Sequence, residues 1–154
     1  MISIIIFGFF AICFGAIHCE SVQYWISKVI TPTRRNSPLV GDWQITYERE
    51  GESVTEAVRI YAAFADVAYG DLHAQLLGGG TALYRVRIEH QFDDIYSAVV
   101  KPSTRSQIDI GMGVIELDVN SKTAKGKFIN ATRQRLNAGE EAQMREVVIT
   151  KANS

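Results

Sequence analysis

The chain has 154 residues, with 16 Lys and Arg against 17 Asp and Glu and a formal net charge of −1. That length holds one domain and an appendage, and the balanced charge excludes a global basic field that would draw the chain onto DNA or RNA. Its two cysteines, Cys13 and Cys19, both lie in or beside the apolar N-terminus. A disulfide framework beyond them is excluded, and a reducing compartment fits.

No charged residue precedes Glu20, and "ISIIIFGFFAICFGAI" (Ile2 to Ile17) holds no proline. As a helix it spans roughly 24 Å, at about 1.5 Å per residue, a little short of the roughly 30 Å hydrocarbon core. Continuing through "HCESVQYWISKVI" completes the span and puts Tyr24 and Trp25 at the headgroup level; Pro32 ends it. The expectation is a transmembrane anchor helix over residues 1–30, then a linker over 31–38, "TPTRRNSP". A cleaved signal peptide is the alternative. It normally needs a basic n-region and small residues at the cleavage site, and neither is present. Lys28, Arg34 and Arg35 follow the span, so the positive-inside rule puts what comes next in the cytoplasm. Gly8, Ala11 and Gly15 offer a small-residue seam for helix packing.

From Leu39 onward the apolar pattern has mostly period two. Trp43, Ile45 and Tyr47 share one face, and Tyr84, Val86 and Ile88 oppose Arg85, Arg87 and Glu89. Gly113, Ile115, Leu117 and Val119 oppose Val114, Glu116 and Asp118, and Val147 and Ile149 pair in the last stretch. Such alternation predicts strands with one buried face. "GGG" (Gly78 to Gly80) and "VNSKT" are turns, and "RLNAGEEA" is a longer polar turn. Residues 53–77 are ambiguous. Ser53 and Glu56 have capping-box spacing and alanine is frequent, which favours helix. Yet Val58 and Ile60 alternate with Arg59 and Tyr61, and Gly70, Leu72, Ala74 and Leu76 share one side.

Counted as strands, the domain over residues 39–152 has about eight. An antiparallel sheet of that size closes to remove its edges. The expected fold is all-β: a small antiparallel closed barrel preceded by one transmembrane helix. Its interior would hold side chains or one small ligand, with Trp43 plugging one end. Gly70, Gly111, Gly113 and Gly126 inside strand patterns suit sharp coiling.

The order of signals then carries a resemblance. Gly41 and Trp43 form a G-x-W at the first strand, similar to that of lipocalin-like barrels. "YSAVVKPS" is followed by "GMGVIELDV" and "AKGKFINATR". Over residues 37–152 and the anchor, this resembles the transmembrane β-barrel effectors of bacterial CBASS antiphage systems. That family usually carries two membrane helices, whereas this chain shows one apolar span. The resemblance implies strands over residues 53–77. It also implies a single-pass protein of the bacterial inner membrane whose cytoplasmic barrel binds a cyclic dinucleotide or trinucleotide. Binding would trigger homo-oligomerisation and disruption of the lipid bilayer, with no cofactor and no DNA or RNA partner. A cyclic dinucleotide is too large for a filled barrel and would sit at its mouth or between barrels.

Ligand groups for such a molecule combine aromatic faces with cations and a hydrogen-bonding amide. The candidates are Tyr47 and Tyr84 on inner faces, Asn130 beside Phe128, and Arg133 and Arg145 flanking the polar turn. An anchored lipocalin-like carrier of a small apolar ligand and a membrane scaffold domain are the alternatives. Catalysis is not expected: His73 and His90 fall on outer or turn positions, and Asp93 and Asp94, adjacent in a strand, would point to opposite faces. His18, His73 and His90 stand apart, without metal-ligand spacing.

Overall fold

A strand with a two-residue repeat needs somewhere to put its apolar face. Here eight strands place that face inside one cylinder. The computed structural model describes residues 19–30, 38–61, 66–75, 79–104, 109–118, 120, 122–132 and 142–152. Helix α1 (Glu20–Ile30) precedes β1 (Gly41–Arg49), β2 (Glu52–Ile60), β3 (Val67–Gln75) and β4 (Thr81–Phe92). There follow β5 (Ile95–Pro102), β6 (Asp109–Asp118), β7 (Thr123–Thr132) and β8 (Gln143–Lys151). Each strand pairs antiparallel with the next, and β1 pairs with β8, from Trp43↔Lys151 to Tyr47↔Val147, so the sheet is a closed barrel.

The ambiguous stretch is β2 and β3, joined through residues 62–65, which lie outside the described set. Propensity loses here because Val54, Val58 and Ile60 on β2 and Ala68 and Leu72 on β3 are buried on the inner wall, an arrangement that a helix of the same sequence would break. Glu50 and Gly51 link β1 to β2 with φ of 56° and 84°. That is the two-residue left-handed turn whose twist suits a hairpin. Asp93 and Asp94 form the corresponding turn between β4 and β5 rather than strand positions, so the expectation that they sit on opposite sheet faces is corrected.

Trp43 closes one end, as expected. It is 2% exposed, its Nε1 donates to the Leu39 carbonyl at 2.8 Å, and the Lys151 ammonium lies 5.3 Å from its ring centroid. Lys151 also donates to the Pro38 carbonyl at 3.0 Å, tying the chain entry to the last strand.

The interior departs from a filled core. Nine inner positions on β3 to β7 carry alanine or glycine: Ala68, Gly70, Ala74, Ala82, Ala98, Gly111, Gly113, Ala124 and Gly126. Close approach requires glycine at positions 113 and 70, among others. A Cβ on Gly113 would lie 2.5 Å from the Lys127 carbonyl oxygen and 2.6 Å from the Phe128 ring, and one on Gly70 would lie 2.6 Å from the Arg59 carbonyl oxygen. Small side chains inside a cylinder of fixed circumference leave space, and a cavity of about 580 Å³ results.

Outside the barrel, α1 seats on β3 and β4. Tyr24, Tyr61 and Lys28 all donate to the Asp71 carboxylate, Tyr61 at 2.6 Å and Lys28 at 2.8 Å. Tyr69 donates to Gln23, the Arg85 guanidinium lies 4.7 Å from the Tyr24 ring centroid, and Ser27 is fully buried beneath the helix. Tyr24 is thereby packed against the barrel wall. Trp25, on the far side of the helix, is 66% exposed. Among the described residues no helix is long and apolar enough to cross a membrane. The apolar run Ile2–Ile17, the Gly8–Ala11–Gly15 seam, most of the linker, Leu76, Val119 and most of the polar turn 135–142 lie outside the described residues.

Burial raises the Asp71 carboxyl, but the hydrogen bonds from Lys28, Tyr24 and Tyr61 outweigh it and hold the group below the usual carboxylate range. A depressed folded value means stability that is present above the unfolded pKa and lost as pH falls through the folded one. Amide protection in α1 should therefore decline below about pH 4. Asp71→Asn should lower stability by about 2 kcal/mol and flatten that acid dependence. Denaturant melts and hydrogen exchange read both outcomes.

Candidate functional site

The cavity runs from Trp43 at the closed end to Arg49, Gln75, Ile110 and Arg145 at the other. Its lower wall is apolar, with Val58, Ile60, Leu72, Ile88, Leu117 and Ile149 facing inward. Polar groups concentrate in the upper third. The chain puts them there because every strand keeps its phase: Tyr47 and Arg49 continue the Trp43–Ile45 face, and Glu56 lies between Val54 and Val58.

Tyr47 donates to Glu56 Oε1 at 2.9 Å. The Gln75 backbone N–H reaches the same oxygen at 3.3 Å, and the Arg49 guanidinium donates to the Gln75 carbonyl at 3.1 Å. Arg145 approaches from β8, its guanidinium carbon 5.5 Å from the Tyr47 ring centroid, a distance at which a cation is attracted to the ring face. Phe128 and Arg145 are cross-strand partners, so an aromatic ring and a cation stand side by side on the inner wall. Asn130 leans over Gly111, its Oδ1 2.8 Å from where a Cβ would sit; the glycine makes room for it. Burial, then the hydrogen bond to Glu56 and its charge, push the Tyr47 phenol up to about 12.

The local backbone explains why Glu56 is placed so. β2 and β3 pair only from Ala57↔His73 to Ile60↔Gly70. Towards the upper end the two strands part, and a ladder N–H is left to satisfy. The Glu56 carboxylate supplies the acceptor for that N–H at 3.3 Å. Glu56 itself is 6% exposed.

Of the five candidates from the sequence, Tyr47, Tyr84, Asn130 and Arg145 line this one cavity. Arg133 lies outside the described residues. Glu56, Arg49 and Gln75 were missed. Glu56 carries a capping-box spacing with Ser53 that competes with its strand reading; continuing the two-residue phase of Val54, Val58 and Ile60 puts it on the inner wall. Arg49 is likewise in phase with Trp43, Ile45 and Tyr47. His73 is exposed on the outer face, and His90, exposed at the end of β4, stands beside its cross-strand partner Tyr96 with ring centroids 5.1 Å apart; among the described residues no group of three His, Cys, Asp or Glu could hold a metal ion. No family model matches the chain, and no curated protein matches it.

Tyr47→Phe should cost about 1–2 kcal/mol of stability by removing one of the two donors to a buried carboxylate oxygen. Tyr96→Phe, whose hydroxyl has no hydrogen bond among the described residues, should change stability by under about 0.5 kcal/mol. Equal effects in urea melts would contradict this account of the Tyr47–Glu56 pair.

Proposed function

We propose that this protein is a membrane-anchored receptor whose barrel takes a small cyclic oligonucleotide into its cavity and passes the signal on by self-association at the bilayer. One observation carries the reading: an unfilled cavity of about 580 Å³ is rimmed by tyrosine rings, two arginines and an amide that converge on it. That volume falls within the range of about 300–1,000 Å³ used for small-molecule sites. Stacking faces with adjacent guanidinium groups suit bases joined by phosphates. Tyr47 and Tyr84 would take bases, Arg145 and Arg49 the phosphates, and Asn130 a base edge. A site at the mouth or between barrels is what a filled barrel would require, and alanine and glycine on the inner wall leave this one open.

Anchorage rests on the apolar run Ile2–Ile17, with Lys28, Arg34 and Arg35 after it favouring a cytoplasmic barrel. Docking of α1 on Asp71 would couple such an anchor to the barrel wall. Self-association finds support on the opposite wall. Met112 faces Ile129, and Ile129 faces Met144 across β6, β7 and β8; all three are exposed. Lys127 and Glu146, paired at 3.3 Å beside this row, would exchange partners across a two-fold axis.

A second reading, a carrier of an amphipathic ligand, is favoured by the apolar lower wall. Calorimetry on the full chain in detergent separates the two. The proposal expects saturable binding of a cyclic di- or trinucleotide, weakened at least about tenfold, or 1.4 kcal/mol, by Arg145→Ala. Met112→Asp should leave binding intact and remove ligand-dependent oligomers. Uptake of a fatty acid with no binding across the nucleotide panel would overturn the proposal in favour of the carrier.

A further inference from the structure

The seam between β2 and β3 leaves a carboxylate with unequal oxygens. Glu56 Oε1 receives both the Tyr47 hydroxyl and the Gln75 N–H. Oε2 receives no hydrogen bond among the described residues, and the residue, which lines the cavity, is 6% exposed. A charged acceptor in that position is costly unless something donates to it. A ligand that displaces water from such an acceptor must bring its own donor or lose affinity.

We infer that Glu56 is the specificity-determining residue of the cavity, selecting a base that presents a protonated ring nitrogen on its pairing edge, as guanine and uracil do. The inference rests on the receptor reading above and deepens it. The chemistry discriminates by sign. Guanine N1–H and uracil N3–H donate to Oε2. The corresponding nitrogens of adenine and cytosine are bare acceptors, so their lone pairs would face the carboxylate. Tyr47, whose ring stands next to Glu56 through their hydrogen bond, is placed to stack the same base whose edge Glu56 reads. Arg145, over the Tyr47 ring, is placed for the adjoining phosphate. Glu56 thus has two duties: Oε1 holds the parted strands together, and Oε2 reads the ligand.

The two duties separate in Glu56→Gln. The amide oxygen can still accept from Tyr47 and Gln75, while the amide nitrogen turns a donor to the cavity in place of an acceptor. Calorimetry on the full chain would use symmetric cyclic dinucleotides that differ only in base: guanine, uracil, adenine and cytosine. The wild-type protein should bind the guanine or uracil form at least about tenfold tighter than the adenine and cytosine forms. Glu56→Gln should abolish or reverse that order, with a change in rank that a purely structural residue would not produce. The wild-type ranking stands as a test even should the variant fail to fold. Binding of all four with equal affinity, or an order unchanged in a folded Glu56→Gln protein, overturns this inference and leaves the receptor reading intact. Binding of none of the four, nor of cyclic trinucleotides, overturns the receptor reading and this inference with it.

Discussion

The structure depends on the pairing of β1 with β8. Without that seam the chain would be an open eight-stranded sheet with two unpaired edges and an apolar face too large to leave in water. With it, every strand has two neighbours and all inner side chains point at a common axis. The circumference is then set by the strand number and not by what lies inside. A bundle of helices with so many alanines and glycines inside would draw closer until the space was gone; a hydrogen-bonded cylinder cannot. The cavity is the consequence of a closed ladder with small residues on its inner face.

That constraint also sorts the polar groups. The end near Trp43 is sealed by the indole, its bond to Leu39 and the overlying Lys151. Inner positions at the other end can therefore be polar, because they face a cavity and need not be packed dry. Tyr47, Glu56, Arg145 and Asn130 each follow from strand phase, and Tyr47 is held between Glu56 and Arg145 by contacts that cross strands. Asp71 shows the same economy on the outer wall. One carboxylate takes donors from α1, from Tyr61 and, through Lys28, a counter-charge, and so fixes the only described helix to the strand behind the cavity.

Most of the barrel was legible because period-two alternation survives in nearly every strand, and because the short turns between them carry glycine, asparagine or aspartate. The stretch over residues 53–77 was not legible from propensity, since alanine and a Ser–Glu spacing describe a helix as well as an inner wall. What decides it is the demand for small residues inside a cylinder, which no local window contains. Tyr47, Tyr84, Asn130 and Arg145 were found by phase. Glu56 was hidden by the helix-cap pattern, and its position depends on β2 and β3 parting, a register property that sequence does not display. The seating of α1 on Asp71 was equally out of reach, for it joins Tyr24 and Lys28 to a residue more than forty positions away.

The claim at the centre is that ligand enters the barrel. Alanine methyl groups offer a direct view, because Ala98 and Ala124 face the inside while Ala57 is exposed on the outside. In methyl spectra of the full chain titrated with a cyclic dinucleotide, the Ala98 and Ala124 signals should shift saturably and the Ala57 signal should stay. Shifts confined to Ala57, with Ala98 and Ala124 unmoved at saturation, would contradict the account.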